Sequence, residues 1–271
     1  MQDQNKKNKK DRKLIYKPYL KGNLMDGAAL KQSLKLLLFF LMFAFLYVVA
    51  GSALQLSNGI LRILANLLLV AACGAILMNN GARLGESEVA YGEIAYARKE
   101  AGKPVEEKEK ERCFHPMKGV MIALAAAVPL ILLTLPYALT AQKQTYILQV
   151  LPTWVGGYGN QSELSAPLAY YQRSASLSAM DMLRMVNRIL ILPFANIATT
   201  ENQDALLVMD HLSPLLACLP LVGFPVGYMM GPRNRAMIHG DISSSNKRYQ
   251  RRQRKAVKAR QARTEKKNEL I

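Results

Sequence analysis

Long runs without a charged residue alternate with charged stretches along this chain. The first run, LLLFFLMFAFLYVVAGSALQL, covers 21 residues from Leu36 to Leu56. As a helix it is about 32 Å long, which is close to the thickness of the hydrocarbon layer of a bilayer. The turn sequence SNG follows at 57–59, and a second apolar run extends from Ile60 to Met78. Because the turn is short, the two runs predict an antiparallel transmembrane hairpin.

Two further runs predict a third and a fourth span. The third, Gly119–Leu139, has 21 uncharged residues and two prolines, which membrane helices tolerate better than soluble ones. The fourth, Leu212–Met230, contains three prolines that should kink it. The pattern therefore predicts an all-α protein, a polytopic helical membrane protein with four transmembrane helices.

The segment 140–203 is harder to interpret. Its uncharged stretches 144–162 and 189–200 are polar or short, so neither makes a convincing span. If both crossed the membrane, the chain would have six spans. The stretch YILQVLPTWVGGYG holds the only Trp and is typical of a membrane–water interface. DMLRMVNRILILPF predicts an interfacial amphipathic helix with its charged residues on one face.

A polar stretch with balanced charge separates the second and third runs. SEVAYGEIAYARKEAGKP begins at Ser87, which could cap a helix, and its Gly102 and Pro104 could end one. This predicts a short amphipathic helix over 87–101. The whole predicted layout is a basic cytoplasmic tail (1–33), the transmembrane hairpin (34–78), a cytoplasmic charged loop with the short amphipathic helix (79–116), the third span (117–139), an extracytoplasmic, partly interfacial segment (140–203), the fourth span (204–231) and a basic cytoplasmic tail (232–271).

Charge sets the expected orientation. The formal net charge of +17 at pH 7 is concentrated at the two ends, with +6 over residues 1–33 and +10 over residues 232–271. Lys and Arg favour the cytoplasmic side of a membrane. With four or six spans both termini lie on the same side, so we expect a multi-pass protein of the cell membrane with both termini in the cytoplasm.

The C-terminal tail contains the densest basic run, KRYQRRQRKAVKARQ at 247–261. Its proximity to the last span favours anionic lipid headgroups as the partner, at about 1 kcal/mol per basic residue. RNA, for instance in a ribosome, is the second and less favoured partner. We expect charges on all faces of any helix here, and a tail without a fixed fold. The candidate contact residues are Arg248, Arg251, Arg252, Arg254, Lys255 and Lys258.

Candidate chemistry in the rest of the chain is sparse. Asp210 and His211 precede the core of the fourth span and could relay protons, although an interfacial helix cap is the favoured interpretation. The pair Cys113 and His115 supplies too few ligands for zinc. The three cysteines are widely spaced and predict no disulfide framework. We expect no metal, no cofactor and no catalytic residue.

These observations favour a non-enzymatic accessory or scaffold subunit that binds the bilayer and a membrane protein partner. Common nucleotide-binding, hydrolase and metalloprotease motifs do not occur in the sequence. One alternative is a small transporter or channel-like protein that uses Asn66, Asp210 and His211. Another is a membrane-assembly factor that contacts ribosomes through its basic tail.

Overall fold

The structure, a computed structural model, describes residues 14–142, 163, 179–198 and 202–268, and over these residues the fold is helical without strands. This confirms the all-α prediction. Ten α-helices are described: α1 Gly27–Ala53, α2 Gly59–Glu100, α3 Glu107–Glu111, α4 Lys118–Thr140, α5 Ala179–Leu190, α6 Leu192–Ala198, α7 Gln203–His211, α8 Ser213–Cys218, α9 Gly223–Met229 and α10 Gly231–Asn268. A 3₁₀ turn over Leu219–Val222 joins α8 to α9.

Three of the described helices, α1, α2 and α4, are long and apolar enough to cross a membrane. A fourth span is formed if α7 and the broken helix Ser213–Met229 are counted together, with a bend of 61° between them. The bend lies at Leu212, two residues before Pro214, and Pro220 lies in the 3₁₀ turn; proline removes a backbone donor and clashes with the preceding turn. The structure is therefore that of a membrane protein, and the predicted kink is confirmed.

The predicted separate helix over 87–101 is wrong. Helix α2 continues without interruption for 42 residues, first through the apolar run and then through polar sequence. Ser87 does not cap a helix, because its hydroxyl donates to the carbonyl oxygen of Leu84, 2.8 Å away within α2. The predicted end is correct: Gly102 has a φ of +72°, the left-handed conformation that commonly follows a helix C-terminus.

Both predicted tails are more ordered than the sequence suggested. Helix α1 begins at Gly27, inside the stretch assigned to the first tail, and residues 14–22 are held by backbone hydrogen bonds. Helix α10 extends to Asn268, so the expectation of a C-terminal tail without a fixed fold is also wrong. The stretch 146–159 lies outside the described residues.

The chain divides into two compact units. The polar unit comprises Met1–Leu24, Asn80–Gly119 and Val226–Ile271, and the apolar unit comprises Met25–Asn79 and Val120–Pro225. In the apolar unit, α5 and α6 pack on α1, and α6 also packs on α7. Helix α9 meets α2 at two glycines: a Cβ on Gly223 would lie 2.2 Å from the carbonyl oxygen of Gly74. Glycine is required there because no side chain fits between the two backbones.

In the polar unit, the first turns of α10 run parallel to the second half of α2. Gly231 lies against Gly85, where an added Cβ would come within 2.4 Å of backbone. Two turns further on, Glu93 of α2 accepts hydrogen bonds from Arg235, at 3.1 Å, and His239, at 2.8 Å. Close backbone contact and a charged pair thus anchor the beginning of α10.

Candidate functional site

The predicted contact residues lie on α10. The side chains of Lys247, Arg248, Arg251, Arg252, Arg254 and Lys255 are all exposed. Lys258 lies in the same helix, although the structure describes only its backbone. The helix forms here because Arg, Lys, Gln and Ala are strong helix formers and the first turns are anchored. We name residues 243–268 the basic arm.

Over residues 247–255 the charges of the basic arm occupy part of the helix surface, whereas positions 260, 263 and 267, which are also basic, project onto the rest of it. At about 100° per residue, the six basic residues fall into two adjacent rows. The first row is Lys247, Arg251 and Arg254, and the second is Arg248, Arg252 and Lys255. Over residues 246–257 the remaining face is uncharged and continues the side on which Arg235 and His239 meet α2; its members are Asn246, Gln250, Gln253 and Val257.

Residues 14–22, which we name the N-terminal strap, help to hold α10 in place. The amide of Ile15 donates to the carbonyl of Ala236 in α10 at 3.2 Å, and the amide of Leu20 donates to the carbonyl of Gly92 in α2 at 3.0 Å. A Cβ at Gly92 would lie 2.8 Å from the carbonyl oxygen of Leu20, so only glycine admits the strap this closely. The strap therefore ties α2 and α10 together.

A buried ion pair lies in the same unit, and the sequence did not suggest it. The ammonium of Lys118 donates to the carboxylate of Glu88 at 2.9 Å and to the carbonyl of Glu111 at 2.7 Å. The hydroxyl of Tyr228 donates to the other carboxylate oxygen of Glu88. Lys118 is only 1% exposed. These partners are 30 and 140 residues from Glu88 in sequence, so no local pattern could reveal them.

Aromatic rings lie next to this pair. Phe114 stacks on Tyr228 with 5.0 Å between ring centroids, and Tyr19 of the strap meets Phe114 edge-on at 6.0 Å. Each carboxylate oxygen of Glu88 has a donor, and the rings pack beside them. This arrangement suits a structural joint, since a binding site would leave polar groups open to a ligand.

The apolar unit contains a second polar cluster, around Asp210. This residue is 3% exposed, and its Oδ2 accepts from Tyr137 at 3.0 Å and from Arg188 at 3.2 Å. Arg184 donates to the same tyrosine hydroxyl at 3.1 Å and pairs with Asp181 at 3.3 Å. Arg184 and Arg188 belong to α5, and the charged face predicted for this helix is thus directed at Asp210. Asp210 is a buried acceptor within α7, whose caps are Asn202 and Leu212.

The other residues of the transport alternative also bond within the protein. His211 Nδ1 lies 2.6 Å from the carbonyl oxygen of Ala138, so the Nδ1–H donates to it. Asn66 donates to the carbonyl of Leu54 at 3.3 Å and accepts from Asn196 at 3.4 Å. Asn196 also donates to the carbonyl of Gly51 at 3.1 Å. Together the two asparagines donate to carbonyls at the end of α1, where the carbonyl oxygen of Gly51 also accepts from the amide of Leu54 at 3.3 Å.

Cys113 and His115 do not converge on a shared point. The thiol of Cys113 donates to the carbonyl of Glu109 at 3.3 Å, and burial raises the pKa of this thiol. His115 accepts from the amide of Met117 at 3.3 Å. Among the described residues no three His, Cys, Asp or Glu side chains come together as metal ligands.

Comparison of this chain with models of known protein families, with curated protein sequences and with solved structures finds no match.

We expect Lys118→Met to destabilise the protein strongly. It leaves the Glu88 carboxylate buried without its cation, and breaking a buried ion pair costs about 3–5 kcal/mol. The double variant Lys118→Met with Glu88→Gln should recover most of this loss, because the amide can still accept from Tyr228. Thermal unfolding in detergent measures both, with the exposed Lys99→Met as control. A single variant as stable as the control would contradict the buried pair.

We expect Asp210→Asn to lower stability while leaving function intact. The amide oxygen can still accept from Tyr137, but Arg188 loses its counter-ion, at a cost of roughly 1–3 kcal/mol. The melting temperature and the phenotype of a deletion strain complemented with the variant test this, with Asp204→Asn on the same helix as control. Full loss of function at a normal protein level would instead support a proton relay.

Proposed function

We propose that the protein is a non-enzymatic scaffold subunit of the cell membrane, and that the basic arm is its docking element for an anionic partner. One observation carries this proposal. Helix α10 continues for 38 residues, yet from Asp241 to Lys255 it has no buried side chain. A helix that is polar on all sides gains nothing from a core, so this length of exposed, basic helix is best explained by an external partner.

The spans leave surface for a membrane partner as well. In the most apolar 18-residue stretch of each of α1, α2 and α4, only 22–33% of the stretch is buried within the chain. Side chains such as Phe45, Leu68 and Leu132 are about 70% exposed. Lipid tails cover such side chains as readily as another helix does, so helix association in a membrane depends on close packing. The uncovered faces are therefore compatible with a subunit that packs beside a larger partner.

Support for a scaffold also comes from the polar groups within or near the spans. Asn66 and Asp210 each bond to other protein groups and stabilise helix ends and helix contacts. A transport pathway needs polar groups that can exchange partners with a passing solute. Because Asn66 and Asp210 hold protein partners already, we favour the scaffold over the transporter.

The proposed orientation places both termini in the cytoplasm, because both ends are strongly basic. We expect a reporter that is active only in the cytoplasm to be active when fused to either terminus. A fusion in the segment 140–203 should be inactive. Activity at the N-terminus together with inactivity at the C-terminus would require an odd number of spans and would contradict this orientation.

The docking role predicts that the arm retains a partner that the spans alone do not. We expect two variants to lose co-purifying protein or RNA in mild detergent: a deletion of residues 243–271, and a full-length chain in which the six basic residues of the two rows are replaced by Gln. The Gln variant preserves a good helix former at each position, so it separates charge from helix. Quantitative mass spectrometry and RNA quantification compare the yields.

Both variants should insert normally and melt like the parent chain, because the arm contributes no buried side chain that the structure describes. Unchanged recovery of all partners with both variants would refute the docking role of the arm.

A further inference from the structure

We propose that the basic arm binds structured RNA, with its two basic rows against the phosphates of two strands and Tyr249 stacked on an unpaired base. The inference rests on the proposed docking function and names the chemistry of the partner. The sequence favoured lipid headgroups because the arm lies close to the last span, and it predicted a tail without a fixed fold. In the structure the arm is a helix, and its charges over residues 247–255 lie in two rows.

The two rows match a partner whose negative charge is arranged along two lines. Lys247, Arg251 and Arg254 line one side of the helix, and the second row lies about 100° around it. A helix that enters a groove meets phosphates on both walls, whereas a leaflet presents headgroups in one plane. Four of the six described residues are Arg, whose planar guanidinium binds phosphate through two parallel hydrogen bonds.

Exposure on every side of the arm also favours a groove. A helix that rests on a membrane needs only one exposed face, and it inserts apolar side chains from that face. The arm has no broad apolar stripe: Tyr249 is 63% exposed and Val257 is 53% exposed, and both lie away from the rows. Charge alone would have to hold the arm to lipid.

Tyr249 supplies a contact that lipid does not use. It lies between Arg248 and Gln250 in sequence, and its ring is solvent-exposed. Recognition of RNA commonly involves unpaired bases in loops and bulges that stack on aromatic side chains. Regular A-form RNA has a deep, narrow major groove, which does not admit a helix about 10–12 Å across. We therefore expect an RNA with bulges or internal loops to be preferred over an uninterrupted duplex.

A charge-conserving rearrangement tests the rows. One variant carries Gln250→Arg with Arg251→Gln and Gln253→Arg with Arg254→Gln, which moves two charges to the uncharged face. Net charge, composition and helix propensity are unchanged. The full-length chain in nanodiscs of neutral phosphatidylcholine is titrated against a fluorescent RNA hairpin with an internal bulge, at fixed salt. We expect the rearranged variant to bind at least about tenfold more weakly, since two charged hydrogen-bonding contacts are lost.

A second variant, Tyr249→Leu, separates RNA from lipid. Leucine keeps an apolar side chain for a membrane but cannot stack on a base. We expect weaker binding to the bulged hairpin than the parent shows, and unchanged binding to vesicles that contain anionic phosphatidylserine. Uninterrupted RNA and DNA duplexes of the same length should bind more weakly than the hairpin does.

Four results would overturn the inference: equal RNA binding by the rearranged and parent chains, equal RNA binding by Tyr249→Leu, tighter binding to anionic vesicles than to the hairpin at the same salt, or equal binding to a DNA duplex. Failure here is distinct from failure of the docking proposal. If the six-Gln variant loses its co-purifying partners while the rearranged chain keeps its RNA affinity, the docking role stands and the RNA assignment falls.

Discussion

The Glu88 carboxylate and the Lys118 ammonium can both be buried only because each supplies the other's charge. Removing either ion from water without its counterpart costs several kcal/mol, and the hydrogen bonds from Tyr228 and to Glu111 satisfy further positions on the pair. Three separate stretches of sequence contribute to this joint. The polar unit depends on it, since the strap, the loop around Phe114 and the beginning of α10 all pack nearby.

The same requirement applies to Asp210, Asn66 and Asn196 of the apolar unit. Hydrocarbon offers no hydrogen bonds, so each polar group in or near a span must find its partner within the protein. Asp210 is bonded to Tyr137 and Arg188, and the two asparagines at the end of α1 bond to carbonyls and to each other. These side chains determine which helices meet, because an incorrect pairing would leave them unsatisfied.

The sequence predicted the features that depend on composition over many residues. Runs with at most one charge located the spans, and prolines indicated a break in the last one. The prediction failed where a tertiary contact decides the outcome. Ser87 suggested the start of a separate helix, but α2 is continuous through it, and Gly85, two residues earlier, lies in close contact with Gly231. The partners of Glu88 and Asp210 lie 22–140 residues away, and a single sequence contains no signal that joins them. The sequence predicted no fixed fold for the arm because the arm lacks a hydrophobic core. Helix propensity and an anchored first turn nevertheless explain its helix.

Because α10 is anchored at its beginning, a small rotation there displaces the far end of the basic arm by a larger distance. Its contacts with α2 extend over about two turns, from Gly231 to His239, while the helix continues to Asn268. The part beyond His239 is about 43 Å long at 1.5 Å per residue. A rocking motion of about 5° at the anchor would therefore move the far end by nearly 4 Å. The displacement of the C-terminal end of α10 therefore depends on the contacts at its beginning. The distance that the arm can reach toward a partner depends on how firmly Glu93 holds Arg235 and His239.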